Sequence, residues 1–130
     1  MIGKAIYNIL STDADLTAAV GAKIYPVVAP QTAEPVFVVY NQISSNSIRT
    51  KDDPFPMTNY LVQVDTYSES ALEAAEVNEL VKKALSRKTG EFANICIFAT
   101  TIETEMDGYS GDDEVFRKTL RFEIIAKNLN

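Results

Sequence analysis

The chain has 130 residues, 46% hydrophobic and 23% charged, with a formal net charge of −6 and no histidine. The negative charge argues against a protein that grips nucleic acid, because phosphate contacts need clustered lysine and arginine. The lack of histidine removes the commonest general base and transition-metal ligand. A chain of this length is expected to form one domain over residues 1–130.

Targeting signals are not evident in the sequence. No apolar run is long enough to cross a bilayer, and the N-terminal segment lacks the apolar run and small-residue cleavage site of an export signal. We therefore expect a chain that folds in a cytoplasm. Cys96 lies in an apolar run and, as the single cysteine, cannot form an internal disulfide, so it is predicted to be a buried thiol without chemistry.

The N-terminal third predicts two short helices and an extended crossing. Apolar residues recur at helical spacing over residues 2–10, and residues 11–13 can cap a second helix that Gly21 ends. Two prolines in residues 22–31 exclude a helix or a central strand, so this segment is predicted to be extended, with a short strand at residues 23–25.

Two further strands flank a polar segment. Residues 36–43 are rich in β-branched and aromatic side chains, and residues 60–67 alternate between an apolar and a polar face. The segment between them, 44–58, is polar and broken by two prolines. It predicts a long mobile loop or a protruding hairpin.

The longest helix is expected to follow directly. Ser70 and Glu73 have capping-box spacing, and an apolar stripe continues from there to Leu85, with acids early and lysines late. Gly90 is expected to stop the helix.

The chain ends in a predicted hairpin of residues 95–105 and 115–126, joined by a glycine-containing loop at 107–113. Phe116, Leu120, Phe122 and Ile124 would face the core, and Lys118 is the exception on that face. The fold class predicted from these elements is α+β. It consists of an antiparallel sheet of about four strands, one long helix packed on one face, and two short N-terminal helices.

Carboxylates supply the remaining candidate chemistry. Asp65 comes late in a strand, but its alternation with Gln63 places it on the polar face, which favours a structural role. Six acids surround the last hairpin loop and could offer oxygen ligands to a hard cation, although their order matches no EF-hand. They are Glu103, Glu105, Asp107, Asp112, Asp113 and Glu114. A solvated acidic loop is the favoured interpretation, and no catalytic residue, metal ligand or cofactor is assigned.

Two short motifs carry a family resemblance. They are Ile24-Tyr25-Pro26 and Ala29-Pro30-Gln31, followed by the strand Val36-Phe37-Val38-Val39-Tyr40. In this order they resemble the small tail-completion proteins of long-tailed phages and prophages. The resemblance extends over nearly the whole chain, through the strand and capped helix at 62–85 to the final hairpin.

This resemblance implies a structural protein of the virion tail, assembled in the cytoplasm of a bacterial host. Members are similar to tail terminators, in which a ring of typically six copies caps the tail tube, stops its polymerisation and docks to the head connector. The implied partners are other copies of the chain, the tail tube protein and the head connector or head-completion protein. DNA would pass through without specific binding, and no membrane is involved.

The two polar loops are the candidate contact regions. Their candidate residues are Ser44, Ser47, Arg49, Lys51, Asp53, Phe55 and Met57 in the first and Asp107, Tyr109, Asp112 and Asp113 in the second. Two alternatives stay open. One is a different head–tail joining role or a minor tail component, and the other is a metal enzyme that uses Asp65 with Glu103, Glu105 or Asp107.

Overall fold

The computed structural model describes residues 2–48, 57–112 and 114–129, in which one β-sheet carries three helices on a single face. The helices are α1 (Ile2–Thr12), α2 (Ala14–Val20) and α3 (Ala71–Leu85). The strands are β1 (Ile24–Pro26), β2 (Phe37–Ile48), β3 (Met57–Ser68), β4 (Gly90–Phe92), β5 (Ile95–Ser110) and β6 (Val115–Asn128). No helix in these ranges is long and apolar enough to span a membrane.

The sheet order is β1-β2-β3-β6-β5-β4, with β1 parallel to β2 and every other neighbouring pair antiparallel. The predicted fold class is therefore wrong. The sheet is mixed and has six strands rather than about four, roughly half of the described residues lie in strands, and the longest helix has only 15 residues.

The two edge strands explain most of this error. β1 lies within one residue of the short strand predicted at residues 23–25, but it was not counted as part of the sheet. β4 was not predicted, because three residues are too few to show an alternating pattern. Gly90, expected to stop the helix, is instead the first residue of β4. The helix ends earlier, at Leu85, where the N–H of Ser86 donates to the Lys82 carbonyl at 2.8 Å.

The core lies between the helices and one side of the sheet, which we call the covered face; the other side is the open face. Leu120, Phe122 and Ile124 on β6 are fully buried on the covered face, as predicted. Lys118 lies on the same face directly opposite Asp107 of β5 and forms an ion pair with it. A charged cross-strand partner therefore explains why a lysine is tolerated among apolar positions.

Helices α2 and α3 begin with side-chain caps, and the cap of α3 differs from its predicted form. Asp13 accepts from the N–H of Leu16 at 2.9 Å, and Ser70 accepts from the N–H of Glu73 at 3.3 Å. Glu73 does not reach back to Ser70. The buried hydroxyl of Ser68 accepts from the Ser70 N–H at 3.1 Å and donates to the Glu73 carboxylate at 2.6 Å. Ser68 thus connects the end of β3 to the first turn of α3.

Ser68→Ala is expected to lower the free energy of unfolding by about 1–2 kcal/mol, since it removes both of these hydrogen bonds from a buried site. Urea denaturation measures the change. Glu69→Ala is the matched control at an exposed neighbouring position and should change stability by less than about 0.5 kcal/mol. Equal effects of the two substitutions would contradict the bridging role.

Candidate functional site

The two predicted contact regions lie at opposite ends of the sheet. The first is the end of the β2–β3 hairpin, residues 44–48 and 57–61, which we call the arm. The second is the end of the β5–β6 hairpin, residues 107–112 and 114–117, which we call the tip. β3 runs from Met57 in the arm to Ser68 beside Phe116 of the tip, a span of about 36 Å at strand rise. The regions cannot form one site within a single copy.

Only some of the predicted contact residues fall within the described chain. Ser44 and Ser47 are exposed on β2, and Met57 is the half-buried first residue of β3. Arg49, Lys51, Asp53 and Phe55, together with Asp113, lie outside the described residues. Segment 44–58 was predicted to be a mobile loop or a protruding hairpin, and its described residues, 44–48 and 57–58, are paired strand residues of β2 and β3.

The tip is more regular than the sequence suggested. Asp107 and Tyr109, assigned to a loop, are paired residues of β5, and only Asp112 lies in the turn proper. The ring of Tyr109 packs against Phe116 at a centroid distance of 4.8 Å, yet its side chain remains 58% exposed. The structure places this aromatic pair on the covered face beyond helix α3, where a partner could reach it.

Two of the acids near the tip, Glu105 and Asp107, form ion pairs with lysines of the same chain. Glu105 accepts from Asn78 at 3.1 Å and from Lys82 at 2.9 Å, joining β5 to α3. The hydrogen bond from Lys82 to Glu105, reinforced by one to Glu79, raises the pKa of the lysine. Within the described ranges, no group of three acidic, cysteine or histidine side chains could hold a metal ion.

The carboxylates invoked for a metal enzyme do not converge. Asp65 pairs with Thr119 and lies on the open face, whereas Glu105 and Asp107 pair with Leu120 and Lys118 and lie on the covered face. The sheet itself separates Asp65 from Glu105 and Asp107, so neither of these two acids can share a site with Asp65 within one copy.

Asp65 belongs to a row of hydrogen bonds across the open face. One carboxylate oxygen accepts from the Thr119 hydroxyl and the other from the Gln63 side chain at 3.0 Å. Arg121 donates in turn to Gln63 at 3.0 Å. With both oxygens occupied and only 9% of the residue exposed, Asp65 is positioned to fasten β3 to β6.

An aromatic group covers the same face nearer the tip. Tyr67 stacks on Phe37 at a centroid distance of 5.0 Å, and Tyr25 meets Phe37 edge-on at 6.0 Å. Burial, together with the charge of Asp65, raises the pKa of Tyr67, and Arg117 opposes the shift through its charge and a hydrogen bond. These rings pack against one another.

Beside these rings lies a cleft of about 640 Å³, lined mainly by the segment after β1 and by the tip. Val27 and Val28, which line it, are 71% and 74% exposed. Val27 has a positive φ of 66°, and the N–H of Val28 donates to the Pro26 carbonyl at 2.7 Å, which closes a strained γ-turn. The sequence interpretation did not single out these valines, although two β-branched residues between Pro26 and Pro30 were a usable signal.

A family model described as "Tail completion protein gp17" matches residues 4–127. The chain belongs to this tail completion family. The resemblance noted in the sequence is thereby confirmed, and with it a structural role in a phage tail. None of the curated proteins compared matches the chain.

Among solved structures, the chain is similar to a chain of the "Virion of native gene transfer agent (GTA) particle". The two share 17% sequence identity and a TM-score of 0.76, over 95% of this chain and 92% of the other. At this identity the likeness establishes a shared fold.

Val27→Gly is expected to raise the free energy of unfolding by up to about 1 kcal/mol, since glycine adopts positive φ without the steric cost that a β-branched side chain incurs. Val28→Gly is the matched control, because Val28 has an equally exposed side chain without a positive φ. Urea denaturation of both variants tests this, and a gain at both positions or at neither would contradict it.

Tyr67 predicts a loss of stability at alkaline pH. Because its pKa is raised in the folded chain, the unfolded chain loses this proton first, so the free energy of unfolding falls as pH rises above about 10. Tyr40, whose pKa is raised mainly by burial, should contribute in the same direction. Tyr67→Phe should flatten the slope between about pH 9 and 11 in denaturation experiments, and an unchanged slope would contradict this.

Proposed function

We propose that this tail completion family chain is a tail terminator, which forms a ring on the end of the tail tube, stops its elongation and docks to the head connector. The observation that carries the proposal is that the two ends of the sheet differ, and each end has its own exposed surface. The arm end exposes Ile43 and Ile48, and the tip end exposes Val27, Val28 and Tyr109. A cap between a tube and a connector needs two such different surfaces.

A closed ring imposes a further requirement. Copies related by cyclic symmetry meet through two different patches on each copy, unless the assembly is a simple two-fold dimer. The sheet has distinct flanks as well as distinct ends, which is compatible with this arrangement. Six copies are proposed from the family resemblance.

The charge of the chain suits passage of DNA through the ring. A net charge of −6 per copy would repel the phosphate backbone, so DNA could slide without specific binding. Glu103 on β5 is exposed and available to such a lining.

A catalytic role is not proposed. Both oxygens of Asp65 and both of Glu105 already accept hydrogen bonds from neighbouring side chains, which leaves neither acid poised for substrate. Membership of a structural tail family supports the same conclusion.

The direct test adds the purified chain to tail tube protein during polymerisation and measures tube length by negative-stain microscopy. Tubes should become shorter as the chain is added, with a ring visible at one end. Light scattering after size exclusion, across a wide concentration range, reports whether the ring also forms in solution.

Charge substitutions at the two ends distinguish the two docking surfaces. Ile48→Asp in the arm and Val28→Asp near the tip should each weaken one contact, to tube or connector, by roughly tenfold or more, since each buries a charge in an apolar interface. Ala18→Asp adds the same charge at an exposed position on α2 and is the control. If tubes keep their normal length when the unmodified chain is added, and the chain still binds the connector, a different head–tail joining role is favoured.

A further inference from the structure

The sheet has two long edges on which short strands cover only a few residues. β1 pairs only with Val38–Tyr40 of β2, and β4 pairs only with Ile95–Ile97 of β5. Among the residues described, no strand pairs on those sides with residues 41–48 of β2 or 101–110 of β5. Rows of backbone donors and acceptors at a sheet edge are a template for another strand.

The hydrogen-bond pattern identifies which backbone groups point outward on β2. The Tyr40 carbonyl accepts from Val27 at 2.8 Å on the outer side. Tyr40 faces Val64 of β3, and the alternation of an antiparallel ladder repeats this orientation at every second residue of β3. On β2, these positions face Val62, Tyr60 and Thr58 of β3. Because a bulge after Gln42 adds one residue to β2, the outward residues are Gln42, Ser45 and Ser47.

The same reasoning applies to β5. The Thr100 carbonyl accepts from Arg87 at 3.1 Å on the outer side, and Thr100 faces Ile124 of β6. The residues of β5 that face every second residue of β6, counted from Ile124, point their backbone groups outward in the same way. The bulge between Ile102 and Thr104 adds one residue to β5 within this series. The outward residues are Ile102, Glu105, Asp107 and Tyr109.

We propose that the free edge of β5 in one copy pairs with the free edge of β2 in the next, so that the sheet continues from copy to copy around the ring. This deepens the proposed function and rests on it. β2 is antiparallel to β3, β3 to β6 and β6 to β5, so β2 and β5 run in opposite directions. Rotation about a ring axis preserves the direction of each strand along that axis, so β5 of one copy runs antiparallel to β2 of the next. The two free segments lie at different levels along the sheet, so the pairing requires strands that are tilted relative to the ring axis, as the strands of a closed barrel are.

Charge favours this pairing over a two-fold dimer formed through β5 alone. Segment 101–110 carries Glu103, Glu105 and Asp107 and no basic residue, so pairing β5 with itself would bring like charges together. Segment 41–48 of β2 carries no charged residue and is exposed from Gln42 to Ile48. A second copy of the chain, presenting its acidic β5 edge, meets no like charge there.

Proline substitution tests the pairing at outward positions, because it removes an outward N–H without breaking the bonds within the sheet. Ser45→Pro and Asp107→Pro should weaken ring assembly by roughly tenfold or more relative to Ser45→Ala and Asp107→Ala, which keep the N–H. Assembly is measured by light scattering after size exclusion and by ring formation on tail tubes. Circular dichroism and thermal unfolding check that the proline variants fold.

Hydrogen exchange of the unmodified chain gives a second measurement that does not depend on folding of the variants. On assembly, exchange should slow at the amides of Ser45, Ser47, Glu105 and Asp107. The amide of Asn46, already bonded within the sheet, should change little.

The outcomes separate the two proposals. Proline variants that assemble as well as the alanine variants, with no new protection at the outward amides, would overturn the edge pairing and leave the ring in place. A disulfide-linked dimer formed by Asp107→Cys alone, in a Cys96→Ala background, would also overturn it by indicating β5 paired with itself. If the unmodified chain forms no ring in solution or on tubes, the proposed function fails together with the edge pairing.

Discussion

The pairing of β3 with β6 is the constraint on which the rest of the structure depends. The two strands pair without interruption from Met57 to Ser68, and they form the centre of the sheet. Their alternation sends Val62, Val64 and Phe122 under the helices, and it sends the hydrogen-bonded row of Gln63 and Asp65 to the open face. A shift of one residue in this register would exchange the two faces and expose the core. Burial on one side and side-chain hydrogen bonding on the other therefore select the same register.

The sequence predicted the features that depend on neighbouring residues. The capped start of α3 at Ser70, the end of α2 at Gly21 and the inward residues of β6 follow from local spacing, and the structure has all three. It did not predict the number of strands or the parallel pairing of β1. Strands of three residues gain their stability from the strand they pair with. The sequence therefore indicated an extended strand at residues 23–25 but not its pairing partner, and it did not indicate β4.

For the candidate surfaces, too, the sequence indicated features set by local composition but not those set by distant residues. Ser44 and Ser47 are exposed in the arm, because a polar stretch interrupted by prolines has few apolar side chains to bury. Their role as contact residues stays a prediction. The ion pairs of Glu105 and Asp107 were not predicted, since their partners, Lys82 on α3 and Lys118 on β6, are distant in sequence. The exposed valines at 27 and 28 were also missed. The sequence analysis placed them in an extended segment without singling them out, and only the fold shows that no element of the described chain covers them.

The balance of forces in this fold suits a chain that assembles with others. Eight consecutive residues of β2 carry no charge and lie at an edge with which no described strand pairs, which would be an aggregation risk in a protein that acts alone. The net charge of −6 acts against this risk over distances of about 10 Å, because it repels copies that approach in arbitrary orientations. Hydrogen bonds along a sheet edge act only at contact and in one direction. Repulsion at long range combined with directional pairing at short range favours ordered addition of copies over random clustering.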